Sequence, residues 1–295
     1  MKRTAFVVMF LIGIGPLAYA QNSILWEVTG KDLKKPSYLM GTLKFIGSKE
    51  YFLPKKVKEA MDKCEAFAIE DEVDHRSQHE LSKAMHLPDG KKLADYMSPA
   101  DYQALLDLFQ KEFKMNQAAF EKAYGNMIPL ALSINMTRLS LRQKVKFYDI
   151  ELLKLAKQKE MDAFNLEHIE REAEAIQSYS LPDQFKALDA TIKDFATQKR
   201  EYIELEAAFV KGDIDLVFIK TLHPTENNPQ FIEAFYFKRN EEWIPKIEKM
   251  MTDQPTFITV GVGHLEGERG LIQLLQKRGY SLKPMIVFSP NSAGK

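Results

Sequence analysis

The sequence contains one cysteine, Cys64, and few glycines and prolines, 14 and 13 among its 295 residues. A single cysteine excludes a disulfide framework within the chain and any metal site built from several cysteines. The low glycine and proline content excludes collagen-like and low-complexity assemblies. Hydrophobic residues make up 45% of the chain, which is enough to build a core and excludes global disorder. We expect Cys64 itself to be a small core residue rather than a reactive thiol.

An excess of either charge is also absent, because 41 lysines and arginines balance 41 aspartates and glutamates. A dedicated nucleic-acid binder normally shows a basic excess, so the sequence argues against a nucleic-acid partner. Beyond residue 20 the sequence has no apolar run close to the roughly 20 residues that span a bilayer. We therefore expect no stable membrane insertion once the N-terminal segment described next has been removed.

Residues 1–20 have the pattern of a secretory signal peptide. Lys2 and Arg3 precede a short apolar run, and residues 18–20 read Ala-Tyr-Ala, an A-x-A cleavage site. Cleavage after Ala20 leaves 275 residues with a formal charge of −2. The sequence thus predicts an exported protein, periplasmic in a Gram-negative source or otherwise secreted.

Predicted strands lie near both ends of the mature chain, and predicted helices fill the middle. The strands are expected at residues 26–28, 37–43, 66–70, 162–167, 256–260 and 285–288. Ser98 is expected to cap one helix, residues 182–211 to form a long helical stretch, and Asn240 to cap a helix ending near residue 251. This order predicts an α/β (α+β) fold with a mixed β-sheet assembled from both ends of the chain. We expect a single domain at residues 21–290 with a mostly helical insertion at about 74–147, and a polar tail at 291–295.

Two pairs of segments resemble each other and indicate an internal pseudo-duplication. Residues 38–44 and 258–264 each combine an apolar strand, a glycine and a polar residue three positions later, Lys44 or His264. Residues 66–70 and 163–167 are apolar strands that end in Glu70 and Glu167. The carboxyl ends of strands in open α/β sheets are where ligand crevices form, so we expect these polar groups to lie near one another.

Three stretches of this sequence form a specific pattern. Residues 41–44 read Gly-Thr-Leu-Lys, residues 239–240 read Arg-Asn before Trp243, and residues 260–271 read Val-Gly-Val-Gly-His-Leu-Glu-Gly-Glu-Arg-Gly-Leu. With them the chain resembles the TraB/GumN family, which shares a fold with the Tiki metalloproteases. The resemblance covers nearly the whole mature chain, and residues 260–271 are its strongest part.

The resemblance implies a cleft with a metal site built from two histidines and glutamates, and a metal-dependent, peptidase-like hydrolase. The metal ligands it implies here are Glu70, Glu167 and His264, and Lys44 and Arg239 complete the candidate catalytic set. The remaining positions that match family motifs, expected to be structural, are Gly41, Thr42, Asp149, Asn240, Gly261, Gly263 and Gly267.

The departure from the family pattern is Lys44, which stands at the first of the two histidine positions. A protonated ammonium has three donors and no lone pair, so it cannot ligate a metal. Loss of one ligand weakens binding and changes the geometry of the site. We therefore expect Lys44 to pair with Glu70 and Glu167 and to take over the electrostatic role of the ion. A second departure is Glu172, where the family pattern has glutamine.

The sequence leaves two functional hypotheses open. The first is a metal-dependent hydrolase with an altered site and a divalent metal of unspecified identity. The second is an exported binding or accessory protein that keeps the cleft without catalysis and needs no ion because Lys44 replaces it. In either case the ligand is a peptide or a small molecule of unspecified structure. Haem-binding and esterase-like relatives are a distant third possibility. A phosphate loop at residues 261–270 is set aside because the Gly-Lys-[Ser/Thr] ending is absent.

Overall fold

The computed structural model describes residues 23–221 and 227–287. The predicted signal peptide, the polar tail and the last residue of the predicted strand at 285–288 lie outside the described residues. The strands are β1 (Leu25–Gly30), β2 (Ser37–Thr42), β3 (Ile46–Gly47), β4 (Ala66–Ile69), β5 (Val145–Lys146), β6 (Asp162–Asn165), β7 (Thr256–Gly261) and β8 (Tyr280–Pro284).

The main sheet is mixed and has the strand order β6-β4-β7-β2-β1-β8. The neighbours β6, β4, β7 and β2 run parallel, whereas β1 pairs antiparallel with both β2 and β8. A separate two-stranded ribbon joins β3 to β5. The mixed α/β architecture with a sheet built from both ends of the chain is thus confirmed.

The similar segments found in the sequence are neighbours in this sheet. Strand β2 lies beside β7, with Gly41 opposite Val260, and β4 lies beside β6, with Phe67 opposite Ala163. The strands of the two halves alternate across the parallel part of the sheet. All residues of β2 and β4 are buried, as expected for parallel strands covered on both faces.

The last strand lies earlier than the sequence pattern indicated. Tyr280 and Leu282 are buried while Ser281 and Lys283 are exposed, so β8 is an edge strand with one covered face. The apolar run that starts at Met285 comes after this strand instead of forming it. The prediction of a strand at 285–288 is therefore wrong, because tertiary pairing with β1 outweighed the local apolar run.

The helices occupy the centre of the chain and cover the sheet. They are α1 (Lys55–Met61), α2 (His75–Ala84), α3 (Pro99–Phe113), α4 (Gln117–Tyr124), α5 (Pro129–Ser140), α6 (Tyr148–Gln158), α7 (Ile169–Gln177), α8 (Leu181–Lys193), α9 (Phe195–Lys211), α10 (Ile214–Thr221), α11 (Pro229–Ile232), α12 (Arg239–Asp253) and α13 (Leu271–Lys277). Short 3₁₀ turns lie at Pro88–Gly90, Leu93–Asp95 and Val262–His264, and a π-helical segment, Glu233–Lys238, links α11 to α12. None of the helices in the part of the chain that the structure describes is long and apolar enough to cross a membrane.

Helix boundaries follow the capping signals in some places and not in others. The Ser98 side chain accepts a hydrogen bond from the Asp101 N–H, as predicted for the start of α3. The expected stretch 182–211 is instead two helices, because Asp194 leaves helical geometry and caps α9 through the Thr197 N–H. Asn240 is not an N-cap, since the helical run through the π segment already precedes it.

Two hydrophobic cores divide the molecule. The first packs the main sheet against helices such as α1, α6, α12 and α13. The second lies among the helices and contains Leu105, Phe109 and Phe120 from the expected insertion at 74–147. It also contains Leu188 and Phe231, so the helical part draws on later segments as well. The candidate site lies where these two parts of the molecule meet.

Candidate functional site

The parallel strands present polar residues at one edge of the sheet. Glu70 directly follows β4, Glu167 lies two residues beyond β6, and the turn that holds His264 follows β7. The Gly261 N–H donates to Glu70 Oε1, and a Cβ at Gly261 would lie 3.3 Å from that same oxygen. Glycine at this position therefore lets the backbone approach the carboxylate and hold it in place.

Arg239, the first residue of α12, is fully buried between the two glutamates. Its Nη2 lies 3.0 Å from Glu70 Oε2 and 2.7 Å from Glu167 Oε1, while its Nε donates to Glu167 at 2.9 Å. The other oxygen of Glu167 accepts from Trp243 Nε1 at 2.8 Å. The cation that bridges the glutamates is Arg239, so the prediction that Lys44 bridges them is wrong.

The surroundings of Arg239 keep its guanidinium charged. Burial alone would lower its pKa, but the charges of Glu70, Glu167 and Glu172 together hold that pKa above the ordinary value for arginine. The guanidinium also lies over the rings of Phe235 and Trp243, with Cζ 4.6 and 4.7 Å from their centroids. The preceding π-helical segment contributes the Phe235 carbonyl, which accepts from Nη1 at 3.0 Å. Arg239 is thus a fixed positive charge inside the site.

His264 is buried beside this arginine and is held by Asn240. The Asn240 amide nitrogen donates to the backbone carbonyls of His264 and Arg269, at 3.2 and 2.9 Å. Its oxygen lies 2.7 Å from His264 Nδ1 and can only accept, so we assign the proton to Nδ1. The lone pair of Nε2 then faces Arg239 Nη1 at 3.4 Å, with Glu70 Oε1 3.9 Å away. Burial and the nearby Arg239 charge lower the pKa of His264 well below its ordinary value, so the ring is neutral.

Lys44 lies beside this arrangement rather than at its centre. Its Nζ is 3.8 Å from Glu172 Oε1, and just over half of its side chain, 54%, is exposed. Glu172 is a buried residue of α7 and shares a hydrogen bond with Asp71. Two carboxyl groups can share such a bond only when one of them carries a proton.

The pKa values of the two carboxyl groups in this pair shift in opposite directions. Burial raises the pKa of Asp71, and the Glu172 carboxylate raises it further. Burial would also raise the pKa of Glu172, but Lys44 and the hydrogen bond from Asp71 hold that pKa below its ordinary value. Sequence reasoning noted Glu172 only as a departure and overlooked Asp71, although Asp71 lies in an acidic cluster at the end of β4.

Asp149 stands near the start of α6 and completes the polar edge. The hydroxyl of Thr42 lies 2.8 Å from Asp149 Oδ1, and that of Thr259 lies 3.2 Å from the same atom. Burial raises the pKa of Asp149 to about 6, and the Glu70 charge adds to the rise while the two hydroxyls oppose it. Asp149 therefore changes protonation in mildly acidic solution. Thr42 and Asp149, which the sequence predicted as motif residues of the site, are therefore in direct contact.

The remaining motif glycines allow the two strand-to-helix connections to pack closely. A Cβ on Gly41 would lie 2.6 Å from Leu265 Cδ1, and one on Gly263 would lie 2.7 Å from Tyr236 Cε1. Gly267 has a φ of +88°, a conformation that side-chain-bearing residues rarely adopt. These glycines thus bring residues 262–267 against β2 and the π-helical segment.

A cavity of about 360 Å³ opens beside this polar edge, between the sheet and the helical part. Lys44, Glu70, Asp149 and His264 line one side of it. Apolar side chains of the helical part line much of the rest, among them Leu130, Ile134, Ile176, Leu205 and Phe231. Its volume falls in the range of small-molecule pockets, which are mostly apolar with a few placed polar groups. These five residues come from four separate helices, α5, α7, α9 and α11, so no local sequence pattern indicates this wall.

The family resemblance implies a metal ion, and the donor set can be tested against it. Of the implied ligands, Glu70, Glu167 and His264 all face the guanidinium of Arg239. A divalent cation at their meeting point would lie next to a fixed positive charge, and Lys44 adds no lone pair. In the described residues, no group of three or more histidine, cysteine, aspartate or glutamate side chains is arranged to hold a metal. The residues as arranged do not fit a divalent ion.

Comparison with known proteins identifies the family. The model of the TraB/PrgY/gumN family matches residues 24–284, and the chain belongs to this family. It is also similar to Metalloprotease TIKI1 of Danio rerio, at 21% identity over 313 residues. That match covers 89% of this chain and 63% of the relative, so the chain spans under two thirds of the relative's length. No solved structure matches the chain. The family resemblance predicted from the motifs is confirmed.

Proposed function

We propose that this chain is an exported binding protein of the TraB/PrgY/gumN family, which holds an apolar peptide or small molecule in its cavity without metal-dependent hydrolysis. The observation that carries the proposal is the position of Arg239, within 3.0 Å of Glu70 and 2.7 Å of Glu167. A buried guanidinium satisfies both carboxylates and keeps the cleft ordered without an ion. The largely apolar cavity next to it has the size of a small-molecule pocket and supports the binding role.

The proposal is tested by measuring bound Zn²⁺ in the purified protein after equilibration and removal of free metal. All proteins carry His79→Ala, because His75 and His79 lie one turn apart on α2 and could bind metal at the surface. We expect less than one tenth of an equivalent of zinc in this background. We expect the same after Lys44→His, since Arg239 still faces the three candidate ligands. Stoichiometric tight binding in the protein that retains Lys44 would contradict the proposal.

A hydrolase remains the second candidate, because one observation favours it. The neutral Nε2 of His264 and Oε1 of Glu70 lie 3.9 Å apart at the cavity wall. Such a pair supplies two of the groups that a metal site or a general base would need. The similarity to a metalloprotease supports the same reaction class. A library of fluorogenic peptides distinguishes the candidates. Turnover that is abolished by both a chelator and Glu70→Gln would establish the hydrolase and overturn the binding proposal.

Export is the third element of the proposal and rests on residues 1–20. The basic pair, the apolar run and the Ala-Tyr-Ala site form a consistent signal pattern. Expression of the full chain in a Gram-negative host, followed by fractionation, tests it. We expect the periplasmic protein to begin at Gln21, as read by intact mass. Retention in the cytoplasm with the first 20 residues attached would contradict export.

A further inference from the structure

Strand β6 forms one edge of the main sheet and is open to solvent. It pairs with β4 on one side, and among the described residues no strand lies on its other side. Its four residues, Asp162, Ala163, Phe164 and Asn165, are all exposed. Side chains of a strand point alternately to the two faces of the sheet, so neither face of β6 is closed off. A further strand therefore has room to pair with this edge.

The backbone groups that β6 directs outward follow from its pairing with β4. Asp162 and Leu166 both donate their N–H groups to carbonyls on the side of β4. Hydrogen bonds in a parallel ladder recur at every second residue, so the N–H and C=O groups of Phe164 point to β4 as well. Ala163 and Asn165 therefore direct their N–H and C=O groups away from the sheet. Each of these two residues offers one donor and one acceptor to a further strand.

The composition of β6 differs from that of the strand at the opposite edge. Natural sheet edges are commonly protected from pairing by lysine or proline, and β8 contains Lys283 and ends in Pro284. β6 contains neither residue type. Its one charged side chain is Asp162, which accepts from the Gln254 amide at 3.2 Å, and it also carries Phe164, which is 39% exposed. The composition of β6 thus favours pairing with another strand.

We propose that β6 pairs antiparallel with β6 of a second copy of this chain, about a two-fold axis at Phe164. In an antiparallel pair, a residue that directs its N–H and C=O groups outward exchanges two hydrogen bonds with a facing residue that does the same. When Ala163 faces Asn165 of the second copy, two such pairs form. A register centred on either of these residues would form one pair within the strand. Two-fold symmetry of this kind is the commonest in homodimers.

The same register brings the exposed aromatic side chains together. Phe164 of one copy faces Phe164 of the other in a non-hydrogen-bonded pair, where Cα atoms are about 4.5 Å apart and side chains are closest. Cross-strand aromatic pairs stabilise antiparallel strands. Asp162 faces Leu166 of the second copy, so the two carboxylates do not oppose each other. This self-complementarity favours a second copy over a strand of unrelated sequence, and it does not depend on the proposed binding function.

Sedimentation velocity on the mature protein, from about 1 μM to about 1 mM, tests the association. A contact through one short strand is small, so we expect a weak, reversible dimer that forms as the concentration rises. Phe164→Glu sets two carboxylates opposite each other and should raise the dimer Kd by at least about tenfold. Phe52→Glu is the control, because Phe52 is also exposed but precedes α1 and lies outside β6. It should dimerise as the wild type does.

Disulfide formation under mild oxidation tests the register. All proteins carry Cys64→Ala, which removes the single native cysteine. Phe164→Cys should give a covalent dimer, since the facing Cα atoms lie within the range of a disulfide. Asp162→Cys is the control on the same strand, because the two copies of residue 162 lie about 13 Å apart along the strands and should not cross-link. Circular dichroism in reducing buffer checks that each variant is folded.

Three results would overturn the inference. One is a monomer over the whole concentration range, which would leave the edge to a strand of another protein. Another is a dimer that Phe164→Glu weakens no more than Phe52→Glu does. The third is cross-linking of Phe164→Cys no greater than that of Asp162→Cys, which would exclude the two-fold axis at residue 164. Each of these results leaves the proposed binding function unaffected, since the cavity is lined by other residues.

Discussion

The two halves of the pseudo-duplication place their polar residues in opposite environments. Lys44 follows β2 and His264 follows β7, each three residues after a glycine, and the two strands are parallel neighbours. Yet the Lys44 side chain is 54% exposed and the His264 side chain only 2%. The end of β7, in the second half, lies inside the molecule under α12. The end of β2, in the first half, lies at the open side of the cavity. A repeated sequence pattern therefore fixes strand ends but leaves burial to whatever covers each end.

Glu70 and Glu167, the glutamates of the two halves, also differ in side-chain exposure, although less than Lys44 and His264 do. The Glu70 side chain retains 19% exposure beside the cavity, while that of Glu167 retains 4%. Arg239 contacts both, but only Glu167 also accepts from a buried indole. The second half thus forms a rigid, closed anchor, and the first half presents its groups to a ligand. The predictions below challenge this contrast, beginning with the residue that joins the two halves.

Removal of the bridging cation should have the largest effect. Arg239→Met leaves two carboxylates without their cation, one of them buried, and we expect a loss of about 3–5 kcal/mol in the free energy of unfolding. Urea denaturation followed by circular dichroism measures it. The control is Arg269→Met, because Arg269 pairs with Glu233 and Glu241 near the surface, where such pairs contribute about 1 kcal/mol or less. Equal losses in the two variants would show that Arg239 is not a structural centre.

Asp149 should make stability depend on pH between its unfolded and folded pKa values. The folded pKa is raised to about 6 from 3.8, so the folded protein binds this proton more tightly than the unfolded chain. Its contribution is fully present below pH 4 and is lost as the pH rises through 6, by up to about 3 kcal/mol. The difference between wild type and Asp149→Asn, measured by urea denaturation from pH 4 to 7, should change by this amount. A difference that does not vary with pH would contradict the shifted pKa.

Substitution of His264, the buried residue of the Lys44–His264 pair, should cause the next largest loss of stability. His264→Leu leaves the Asn240 amide oxygen without the Nδ1 proton, 2.7 Å away in the wild type. We expect a loss of about 2 kcal/mol, as for a buried acceptor that loses its donor. Thermal unfolding monitored by calorimetry gives the value. Asn240→Leu should cost at least as much, since the amide nitrogen also donates to two backbone carbonyls. A smaller loss for Asn240→Leu would place the anchoring role in the histidine alone.

The exposed member should matter least for stability. Lys44→Met removes a half-exposed ion pair, 3.8 Å from Glu172, and we expect a change below about 1 kcal/mol. The same urea titration used for Arg239→Met allows direct comparison. A loss as large as that of His264→Leu would remove the contrast between the two halves. A small change would show that Lys44 contributes little to the stability of the fold.

Much of the site was visible in the sequence because strand ends carry strong local signals. The runs before Glu70 and Glu167 are short and apolar, and the glycine motifs mark the turns after β2 and β7. Parallel pairing then brings these ends together, as the sequence predicted. From the sequence, Arg239 could pair with a substrate carboxylate or with a site glutamate, and the structure shows the second, with Glu70 and Glu167. The lysine at a histidine position nevertheless directed the prediction of the bridging cation to Lys44. Which cation reaches the carboxylates depends on how α12 crosses the sheet, and no local pattern records that.

The sequence also could not show the helical wall of the cavity. Gln198 lies in the middle of a helix and resembles any polar residue on a solvated face. Its burial arises only because α9 packs against α5 and places it opposite Thr137. The break at Asp194 was missed for a related reason. An aspartate within a helical pattern caps a new helix only when the chain changes direction there, and packing decides that.

By itself the sequence determined the family, the mixed sheet built from both ends of the chain, and the set of polar residues at its carboxyl edge. These follow from short-range patterns, namely apolar runs, glycine turns and a twelve-residue motif. Only the tertiary structure decided that Arg239 lies between the glutamates, that His264 is neutral and that Lys44 stays exposed. Those outcomes depend on burial and on distances between segments far apart in the chain, because charge interactions and desolvation act through space.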